Sequence, residues 1–535
     1  MQAMTTINGK SSPTARNITI GDLLREAADQ SGEHIAMIDG VADPALRRTW
    51  TYSALLHEAE QAAKALLGRF SPGDRIAVFS PNSPEWVILE LATALAGMVL
   101  VPTNPAYRQS ELADILQDCQ ATALFHADSW RGSDLGAMAS AVRDTVMPDL
   151  KLISLADWAG FVATGDSVTT LPEVKPRDPV IIQFTSGTTG RAKGAILHHG
   201  LINPPANVAR CCGLRQHGVW LNAMPMYHIG GAAVSLMATM SVQGTFVQMR
   251  EWDPALALDL IEAQRCNGML LVPTMVVSML DQPDFVDHDL SSVDFIVVGA
   301  APVPPALLTR VTERIGCRML ICFGQTEAGG PVTNTRIGDG AHELADTLGR
   351  ALPGMQIEIR DPQTGAALPA GEKGELCFKS SQLMLGYYGR EAETRAAFTE
   401  DGWLRSGDLG FLDERGYMSI TGRLKDMIIR GGVNIYPREV EDVLFEHPTV
   451  AQAAVIGMPD EKWGEIVIAV VQAAEGHELN FAHLHQHCRD RLATFKVPAR
   501  WTSTDAFPLN PTGKIQKFVL ADWIRDRRLD LVSVR

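Results

Sequence analysis

The sequence predicts a multidomain α/β protein with a large amino-terminal body of two helix-covered, mostly parallel sheets. A small β-rich subdomain belongs to this body, and a small α+β domain follows it. Three observations predict this class. The 535 residues exceed one domain, apolar runs alternate with helical patterns through the first 330 residues, and the composition changes near residue 335.

Short apolar runs predict the strands of the body. They are Arg75–Phe79, Met98–Pro102, Ala121–Phe125, Val180–Phe184, Thr245–Met249, Gly268–Val272, Phe295–Val298 and Arg318–Cys322. Helices are predicted between them at Ser83–Ala96, Ser110–Cys119, Pro254–Arg265 and Pro304–Arg314. Pro84 suits a first helical turn, and Ser110 is the predicted cap of its helix. In parallel sheets ligands bind where the strands end, so we expect the functional residues on the loops that follow them.

The second half of the chain predicts smaller units. Gly, Pro and charged residues are frequent over Thr347–Asp413, where runs such as Gly374–Lys379 indicate the β-rich subdomain. A break at Arg423–Asp426 predicts a body over residues 1–423 and a carboxy-terminal domain over residues 424–535. Within that domain we predict helices and strands at Arg438–His447, Val450–Ile456, Ile466–Val471 and Phe481–Leu492.

Composition and charge limit the classes of function. Lys and Arg number 47 against 62 Asp and Glu, and the net charge of −15 argues against a general nucleic-acid binder. The 8 cysteines include no C-x-x-C pair, which indicates reduced thiols rather than a zinc or redox site. The first 17 residues lack an apolar signal core, and Glu90 interrupts the longest apolar stretch. We therefore expect a soluble cytoplasmic protein without a transmembrane segment, and peripheral membrane contact stays open.

The strongest single signal is the run Phe184–Gly194, where an apolar strand leads into hydroxyl residues, glycines and one lysine. Glycines let the backbone present N–H groups to phosphate oxygens, and the lysine adds positive charge. The spacing departs from the Walker A pattern because Gly194 follows the lysine, which disfavours a P-loop kinase or GTPase. The candidate nucleotide-binding residues in this run are Thr185, Ser186, Gly187, Thr188, Thr189, Gly190 and Lys193.

This run closely resembles the phosphate-loop signature of the adenylate-forming superfamily of acyl-CoA synthetases, peptide-synthetase adenylation domains and beetle luciferases. Six further segments resemble that family's motifs in the same order: Met224–Gly231, Phe295–Pro304, Cys322–Glu327, Ser406–Gly410, Gly422–Glu441 and Asn510–Lys517. The hinge region looks closest to bacterial fatty-acyl and aryl-CoA ligases. The resemblance implies a mobile carboxy-terminal domain, ATP and CoA as co-substrates, and Mg²⁺ as the cofactor.

The resemblance implies roles for the residues around the nucleotide. Lys514 would place positive charge beside the substrate carboxylate and the α-phosphate, and Glu327 would bind Mg²⁺. Asp408 would accept hydrogen bonds from the ribose hydroxyls, with Arg423 beside it. Because a carboxylate is already ionised near neutral pH, the site needs positioning and positive charge rather than a general base. The further nucleotide-binding candidates are Gly299, Ala300, Ala301, Cys322, Phe323, Gly324, Gln325 and Thr326.

A second half-reaction is also implied, in which the smaller domain rotates about Lys425 and the acyl group passes to CoA. The catalytic candidates are thus Lys514, His228, Gly432 and Lys425, with His228 as a gate between acyl pocket and thiol entrance. Val497 and Ala499 stand where basic residues are expected, so Lys496 and Arg500 are the alternatives for the CoA phosphates. The candidates for CoA contacts are Gly431, Gly432, Trp463, Phe495 and Lys496.

Small residues around the presumed acyl pocket favour a medium- or long-chain fatty acid or a bulky aromatic acid. A Tyr–His pair stands where peptide-synthetase domains place an Asp, which disfavours an amino acid substrate. The candidate pocket residues are Tyr227, His228, Gly230, Gly231, Gly329 and Gly330.

Several alternatives stay open at this point. A fatty acyl-AMP ligase would pass the acyl group to a carrier protein instead of CoA, and a luciferase is a weaker alternative. Outside the superfamily, a non-catalytic nucleotide-binding regulator and a simple phosphohydrolase are the competing classes. Acid-dependent release of pyrophosphate from ATP separates these classes, and addition of CoA identifies the acceptor. A homodimer also stays open.

Overall fold

Two mostly parallel sheets form the centre of the amino-terminal body. The computed structural model describes residues 7–8, 15–165, 167–185, 192–299, 303–431, 433–509 and 515–534. The first sheet has seven strands in the order Gly386–Tyr387, Lys193–His198, Pro179–Thr185, Val99–Thr103, Arg75–Phe79, Ala123–His126 and Lys151–Ser154. The last five of these strands are parallel, and the first two pair antiparallel.

The second sheet has nine strands, of which the central six are parallel. Their order is Arg350–Ala351, Gly330–Asn334, Arg318–Gln325, Phe295–Val298, Gly268–Leu271, Val219–Asn222, Thr245–Met249, Ile35–Gly40 and Thr49–Thr51. The strands predicted for the body are all present, and the buried runs of Ile, Val, Leu and Phe explain why, since both sheet faces are covered.

One side chain joins the carboxyl ends of the two sheets. Asn82, just after the first-sheet strand Arg75–Phe79, donates to the carbonyl oxygens of Met224 (3.1 Å) and Met249 (3.0 Å). Met224 follows one second-sheet strand, and Met249 is the last residue of another. Its own amide oxygen accepts from Met226 N at 2.7 Å. The loops that follow the strands of both sheets therefore meet in one groove, where ligands of such sheets bind.

Helices cover both sheets of the body. They are Ile20–Ser31, Tyr52–Leu67, Pro84–Leu95, Gln109–Asp118, Leu135–Thr145, Trp158–Val162, Asn203–Cys211, Leu236–Ser241, Pro254–Gln264, Pro273–Leu280, Pro305–Arg314, Ala341–Asp346 and Glu391–Ala397. No helix in the described part of the chain has the length and apolar character that crossing a bilayer requires.

Two helix starts test the predicted caps. Pro84 begins its helix as expected, and Ser83 Oγ accepts from Trp86 N at 3.2 Å. The predicted cap at Ser110 is wrong, because the helix already begins at Gln109. Here the carboxylate of Glu111 reaches back to Arg108 N at 2.8 Å, so a charged acceptor inside the first turn replaces a serine cap.

The β-rich subdomain is a five-stranded sheet whose pairs are all antiparallel. Its order is Ile7–Asn8, Gln356–Arg360, Gly374–Lys379, Leu404–Leu412 and Met418–Arg423. This sheet presents the strand that carries Asp408 to the groove, next to the strand that ends at Arg423.

The carboxy-terminal region forms a separate α+β unit after a 3₁₀ turn at Leu424–Asp426. Its strands are Ile428–Arg430, Val433–Ile435, Val450–Asp460, Gly464–Ala473 and Arg500–Ser503, and its helices are Pro437–Phe445, Phe481–Arg489 and Lys517–Arg525. It has its own core, in which Val440, Leu444, Val467 and Trp501 are buried. The fold class is therefore confirmed, while the boundary at residues 423 and 424 stays a prediction.

Candidate active site

The phosphate-loop strands pair antiparallel near one edge of the first sheet, next to the edge strand Gly386–Tyr387. Pro179–Thr185 enters the loop and Lys193–His198 leaves it, with Thr185 opposite Lys193 in the register. Thr185 Oγ1 also donates to the carbonyl oxygen of Lys193 at 3.4 Å. Both ends of the loop are thus fixed, and the predicted residues Ser186, Gly187, Thr188, Thr189 and Gly190 lie outside the described residues.

Glu327 lies beside this hairpin and is held by groups from distant parts of the chain. Tyr387 donates from its hydroxyl to Glu327 Oε1 at 2.9 Å, and Thr185 Oγ1 is 3.5 Å from the same oxygen. Lys193 Nζ lies 5.3 Å from the centre of the Tyr387 ring. The structure thus brings Thr185, Lys193 and Glu327 together as expected, and it adds Tyr387, which sequence reasoning missed.

The candidate ribose site is a hydrogen-bonded group of three side chains. Gln325 Nε2 donates to Asp408 Oδ2 at 2.9 Å and to the Ser406 carbonyl at 3.0 Å. Arg423 Nε lies 3.4 Å from Asp408 Oδ1. Asp408 is 7% exposed. Its partners Gln325 and Arg423 come from two separate sheets and together fix its carboxylate.

Close backbone packing explains the glycines next to this group. A Cβ atom at Gly299 would come within 2.7 Å of the Cys322 carbonyl, and one at Gly324 within 2.4 Å of the Gly330 carbonyl. Phe323 is half-buried, with its ring 6.1 Å from that of Phe378. Burial raises the pKa of the Cys322 thiol to about 12, so this thiol stays neutral near pH 7. Thr326 is half-buried in the turn that follows the strand Arg318–Gln325. Ala300 and Ala301 lie outside the described residues.

Tyr227 and His228 lie on the loop that Asn82 holds. Their rings are 4.8 Å apart, and Gln183 Nε2 donates to the Tyr227 carbonyl at 3.0 Å. Burial raises the pKa of the Tyr227 phenol, which therefore stays protonated near neutral pH. A π-helix over Gly230–Ser235 follows directly, a rare geometry that is frequent at functional sites and that the sequence pattern did not predict.

The glycines of the presumed acyl pocket have two different roles. Gly329 has φ +76° and a Cβ there would lie 2.3 Å from the Gln382 carbonyl, while one at Gly231 would lie 2.4 Å from the Pro225 carbonyl. These two glycines permit close backbone packing. Gly230 and Gly330 instead border side chains, namely Met224, Leu270, Ile229 and Val234.

The CoA candidates lie together on the carboxy-terminal unit. Trp463 is 42% exposed and Phe495 is 39% exposed. Arg430 joins them, since its guanidinium carbon lies 5.3 Å from the Trp463 ring centre and its NH1 donates to the Phe495 carbonyl at 2.7 Å. Gly431 has φ +58°, and a Cβ there would lie 3.0 Å from the Trp463 ring, while Gly432 lies outside the described residues.

Lys496 and Arg430 both lie near the exposed rings, and only Lys496 is among the candidates for the CoA phosphates. Lys496 Nζ lies 2.6 Å from Glu439 Oε1, so its charge is already paired within the unit. Arg430 was not among the candidates, and only its position next to Gly431 could have suggested it. Arg430 is therefore a further cation at this surface, with contacts to the Trp463 ring and the Phe495 backbone, and Lys462 Nζ lies 5.0 Å from the same ring centre.

The candidate hinge residue lies at the junction of the body and the carboxy-terminal unit. Burial lowers the pKa of the Lys425 ammonium, and Asp426, Arg423 and Asp408 lie close enough to affect it. Lys517, whose charge also acts on Lys425, is itself paired, with its Nζ 2.6 Å from Glu441 Oε1. Lys514, the candidate for the charge beside the α-phosphate, lies outside the described residues.

The groove, the glycine-rich hairpin and the separate α+β unit together define an adenylate-forming enzyme. A family model described as "AMP-binding enzyme" matches residues 24–388, and one described as "AMP-binding enzyme C-terminal domain" matches residues 439–514. The chain belongs to the AMP-binding enzyme family. It is an AMP-forming acid–CoA ligase, an acyl-CoA synthetase.

Known proteins resemble the chain over nearly its whole length. A putative acyl-CoA synthetase, YngI of Bacillus subtilis, is 35% identical and covers 94% of this chain and 96% of the relative. A Rhodococcus jostii relative, named as a CoA ligase for a propanoate with a methyl-dioxo-octahydroindenyl group, is 35% identical over 95% and 99%. The crystal structure of ATP-bound MatB from Rhodopseudomonas palustris has a TM-score of 0.86 at 29% identity, over 96% of this chain and 99% of that one.

Proposed function

We propose that this enzyme activates a monocarboxylic acid with a medium or long chain or a bulky apolar tail. The observation that carries the proposal is the border of the acyl pocket. Cβ atoms built at Gly230 and Gly330 would meet Met224, Leu270, Ile229 and Val234, all of them apolar. Each buried CH₂ contributes about 0.8 kcal/mol, so acetate would gain little from this surface. The Rhodococcus jostii relative is named for a bulky acid, which supports the same substrate class.

In the first half-reaction, a carboxylate oxygen of the substrate bonds to the α-phosphorus of ATP. The bond from that phosphorus to the bridging oxygen of the leaving group breaks, and pyrophosphate departs. Asp408 would hold the ribose, with Gln325 and Arg423 fixing its carboxylate. Lys193, Lys514 and the backbone of Ser186–Gly190 would offset the charge of the phosphates. These groups position two anions, and none of them has to remove a proton from the attacking carboxylate.

Glu327 is the residue that we propose for Mg²⁺. Magnesium is usually bound through one or two carboxylates together with substrate phosphates. Within the described ranges, no group of three or more His, Cys, Asp or Glu side chains forms a metal site, so the phosphates of ATP would supply the other ligands. When bound, Mg²⁺ would screen the triphosphate during displacement.

In the second half-reaction, the CoA sulfur bonds to the acyl carbon, and the bond from that carbon to the phosphate oxygen of AMP breaks. AMP leaves as an anion, and the thiol proton passes to solvent. We propose that Lys425 is the hinge for this step and that Gly431 and Gly432 line the pantetheine tunnel. Trp463 and Phe495 would stack on the CoA nucleotide, and Arg430 would replace the missing basic residues near its phosphates. His228 would separate the acyl pocket from the thiol entrance.

A screen of carboxylic acids with ATP and CoA tests the proposed substrate class. Octanoate, palmitate and cinnamate should exceed acetate in kcat/KM by roughly hundredfold or more, because they bury several carbons. Malonate serves as the dicarboxylate comparison and should react poorly. A preference for acetate or malonate would overturn the substrate assignment, and absence of a CoA thioester would favour a carrier protein as acceptor.

A substitution at the border of the acyl pocket tests the location of the pocket more sharply. Gly230→Val adds a branched side chain that meets Met224 Cε and Leu270, so the preferred acid should become shorter. Gly338→Val is the matched control, since a Cβ atom at Gly338 meets nothing within 4 Å. An unchanged chain-length preference in Gly230→Val would contradict the location of the pocket.

Compartment and assembly stay predictions. The cytoplasmic location and a homodimer can be checked by cell fractionation and by light scattering of the purified protein. Neither result affects the proposed reaction.

A further inference from the structure

The short strand Gly386–Tyr387 joins two parts of the ATP site. It pairs antiparallel with the strand that leaves the phosphate loop, with Tyr387 opposite Ala195. Tyr388 N donates to the Gly194 carbonyl at 2.8 Å, and Met384 N donates to the Glu327 carbonyl at 2.9 Å. This segment is therefore bound on one side to the phosphate-loop hairpin and on the other to Glu327.

The Tyr387 side chain makes the same connection between charged groups. Its hydroxyl donates to Glu327 Oε1 at 2.9 Å, and Lys193 Nζ lies 5.3 Å from its ring centre. An ionised carboxylate can only accept, so the phenol must be the donor.

We propose that Tyr387 is the positioning residue of the phosphate and metal end of the site. One side chain orients the Glu327 carboxylate through its hydroxyl and the Lys193 ammonium through its ring. With Oε1 occupied by the phenol, Oε2 would be the oxygen left to hold Mg²⁺. The inference rests on the proposed role of Glu327 and adds a residue to which neither a motif nor a spacing had given a role.

The physical reason for such a residue is the opposite charge of its two neighbours. A carboxylate and an ammonium at this distance from one aromatic ring would gain from pairing with each other, and such a pair would withdraw both charges from ATP. The phenol satisfies the carboxylate with a neutral donor, while the ring face attracts the ammonium without neutralising it. Both groups therefore stay available to the nucleotide.

The test is Tyr387→Phe, which keeps the ring and removes only the hydroxyl. Loss of an outer partner of a metal ligand typically costs about 10–100-fold in metal affinity. We expect the Mg²⁺ concentration for half-maximal pyrophosphate release to rise by that factor. Calorimetric titration of Mg²⁺ into enzyme with a non-cleavable α,β-methylene ATP analogue should show the same shift. Tyr387→Leu also removes the ring and should in addition raise the KM for ATP.

Two controls separate positioning from a merely structural role. Tyr388→Phe removes the neighbouring hydroxyl, which contacts Gln120 Oε1 at 3.2 Å, and should leave the Mg²⁺ titration unchanged. Conversion of a supplied acyl-adenylate to thioester should be the same in Tyr387→Phe as in the wild type, since this step needs no Mg²⁺·ATP.

The outcomes distinguish the inference from the proposed function. If the wild type is active and Tyr387→Phe has the same Mg²⁺ affinity as the wild type, only the inference about Tyr387 is overturned. Equal loss of both half-reactions together with a lowered Tm would also overturn it, because it would indicate a structural role. A wild type that releases no pyrophosphate with any acid would overturn the proposed function instead.

Discussion

The part of the groove that we propose for ATP, called the ATP end below, and the surface around Trp463 are built in opposite ways. At the ATP end, Asp408 is 7% exposed and receives a hydrogen bond from Gln325, and Glu327 receives one from Tyr387. Trp463 and Phe495 are about two-fifths exposed. The cations beside them lie over ring faces, with Arg430 and Lys462 over Trp463 and Lys496 over Phe495.

We propose that this difference reflects the different demands of the two half-reactions. Fixed, buried groups cost no reorganisation when charge moves at the α-phosphorus, so the ATP end is suited to accelerate a chemical step. Exposed rings with a neighbouring cation suit a nucleotide that binds and leaves in every cycle. Substitutions at the ATP end should therefore lower kcat/KM for ATP, while those around Trp463 should raise the KM for CoA.

The largest effect is expected from Asp408→Ala. It removes the acceptor for the ribose and leaves Gln325 and Arg423 without their carboxylate, so we expect a loss of about 3 kcal/mol or more in transition-state stabilisation, over a hundredfold. The measurement is acid-dependent pyrophosphate release. The control is Asp361→Ala, which removes a turn carboxylate in the same subdomain and should cost only stability. Near wild-type release by Asp408→Ala would break the comparison.

Gly329→Ala should have the next largest effect. The added Cβ would lie 2.3 Å from the Gln382 carbonyl at φ +76°, so the backbone next to Glu327 must shift. Strain of this kind costs of order 1–3 kcal/mol. Pyrophosphate release and Tm should both fall. Gly354→Ala has a similar φ of +81° with open space around its Cβ, so it reports the backbone strain without the clash. If both variants behave alike, the close approach to Gln382 is unimportant.

A smaller effect, confined to CoA, is expected from Trp463→Ala. Stacking of a base on an aromatic side chain is worth about 1–3 kcal/mol, so the KM for CoA should rise about tenfold or more while pyrophosphate release stays unchanged. Arg430→Ala should act in the same direction. Trp523→Ala is the matched control, since Trp523 lies in the same unit with Arg528 over its ring at 4.7 Å. A similar rise in the KM for CoA in this control would show that the effect is not local.

The smallest effect on catalysis is expected from Glu90→Gln, in the core of the amino-terminal body on the helix Pro84–Leu95. Glu90 is fully buried, neither of its carboxyl oxygens has a hydrogen-bond partner among the described residues, and burial raises its pKa well above the usual value. The folded form therefore keeps a proton that the unfolded chain loses above about pH 4.3. Wild-type stability should fall by up to about 1.4 kcal/mol for each pH unit above that value, and the variant should lack this loss.

Thermal unfolding at pH 5.5 and pH 7.5 measures this difference. The Tm of Glu90→Gln relative to the wild type should be higher at pH 7.5 than at pH 5.5. A constant difference between the two values would mean that Glu90 is ionised in the folded protein.

Continuous sequence motifs name a large share of the candidate site residues, whose roles stay predictions. Asp408, Glu327 and the phosphate-loop residues are found within short signatures, and the buried apolar strands that carry them follow a simple pattern. Tyr387 and Arg430 could not be found in that way. Tyr387 meets Glu327 across 60 residues of sequence, and a contact of that kind leaves no periodic signal in one chain.

The sequence also could not predict local backbone geometry at positions where two arrangements compete. Ser110 is a good cap by residue type, yet Glu111 supplies the acceptor from inside the first turn. The π-helix after His228 needs a tertiary environment, since no propensity favours it.

The central claim is that one chain carries two separable sites, one for adenylation and one for thioester formation. The most direct test measures both steps in wild type, Asp408→Ala and Trp463→Ala, with octanoate as the acid. Pyrophosphate release reports the first step, and thioester formation from supplied octanoyl-adenylate reports the second. We predict that Asp408→Ala loses mainly the first step and that Trp463→Ala weakens only the second, through the KM for CoA. Equal losses of both steps in both variants would contradict the account.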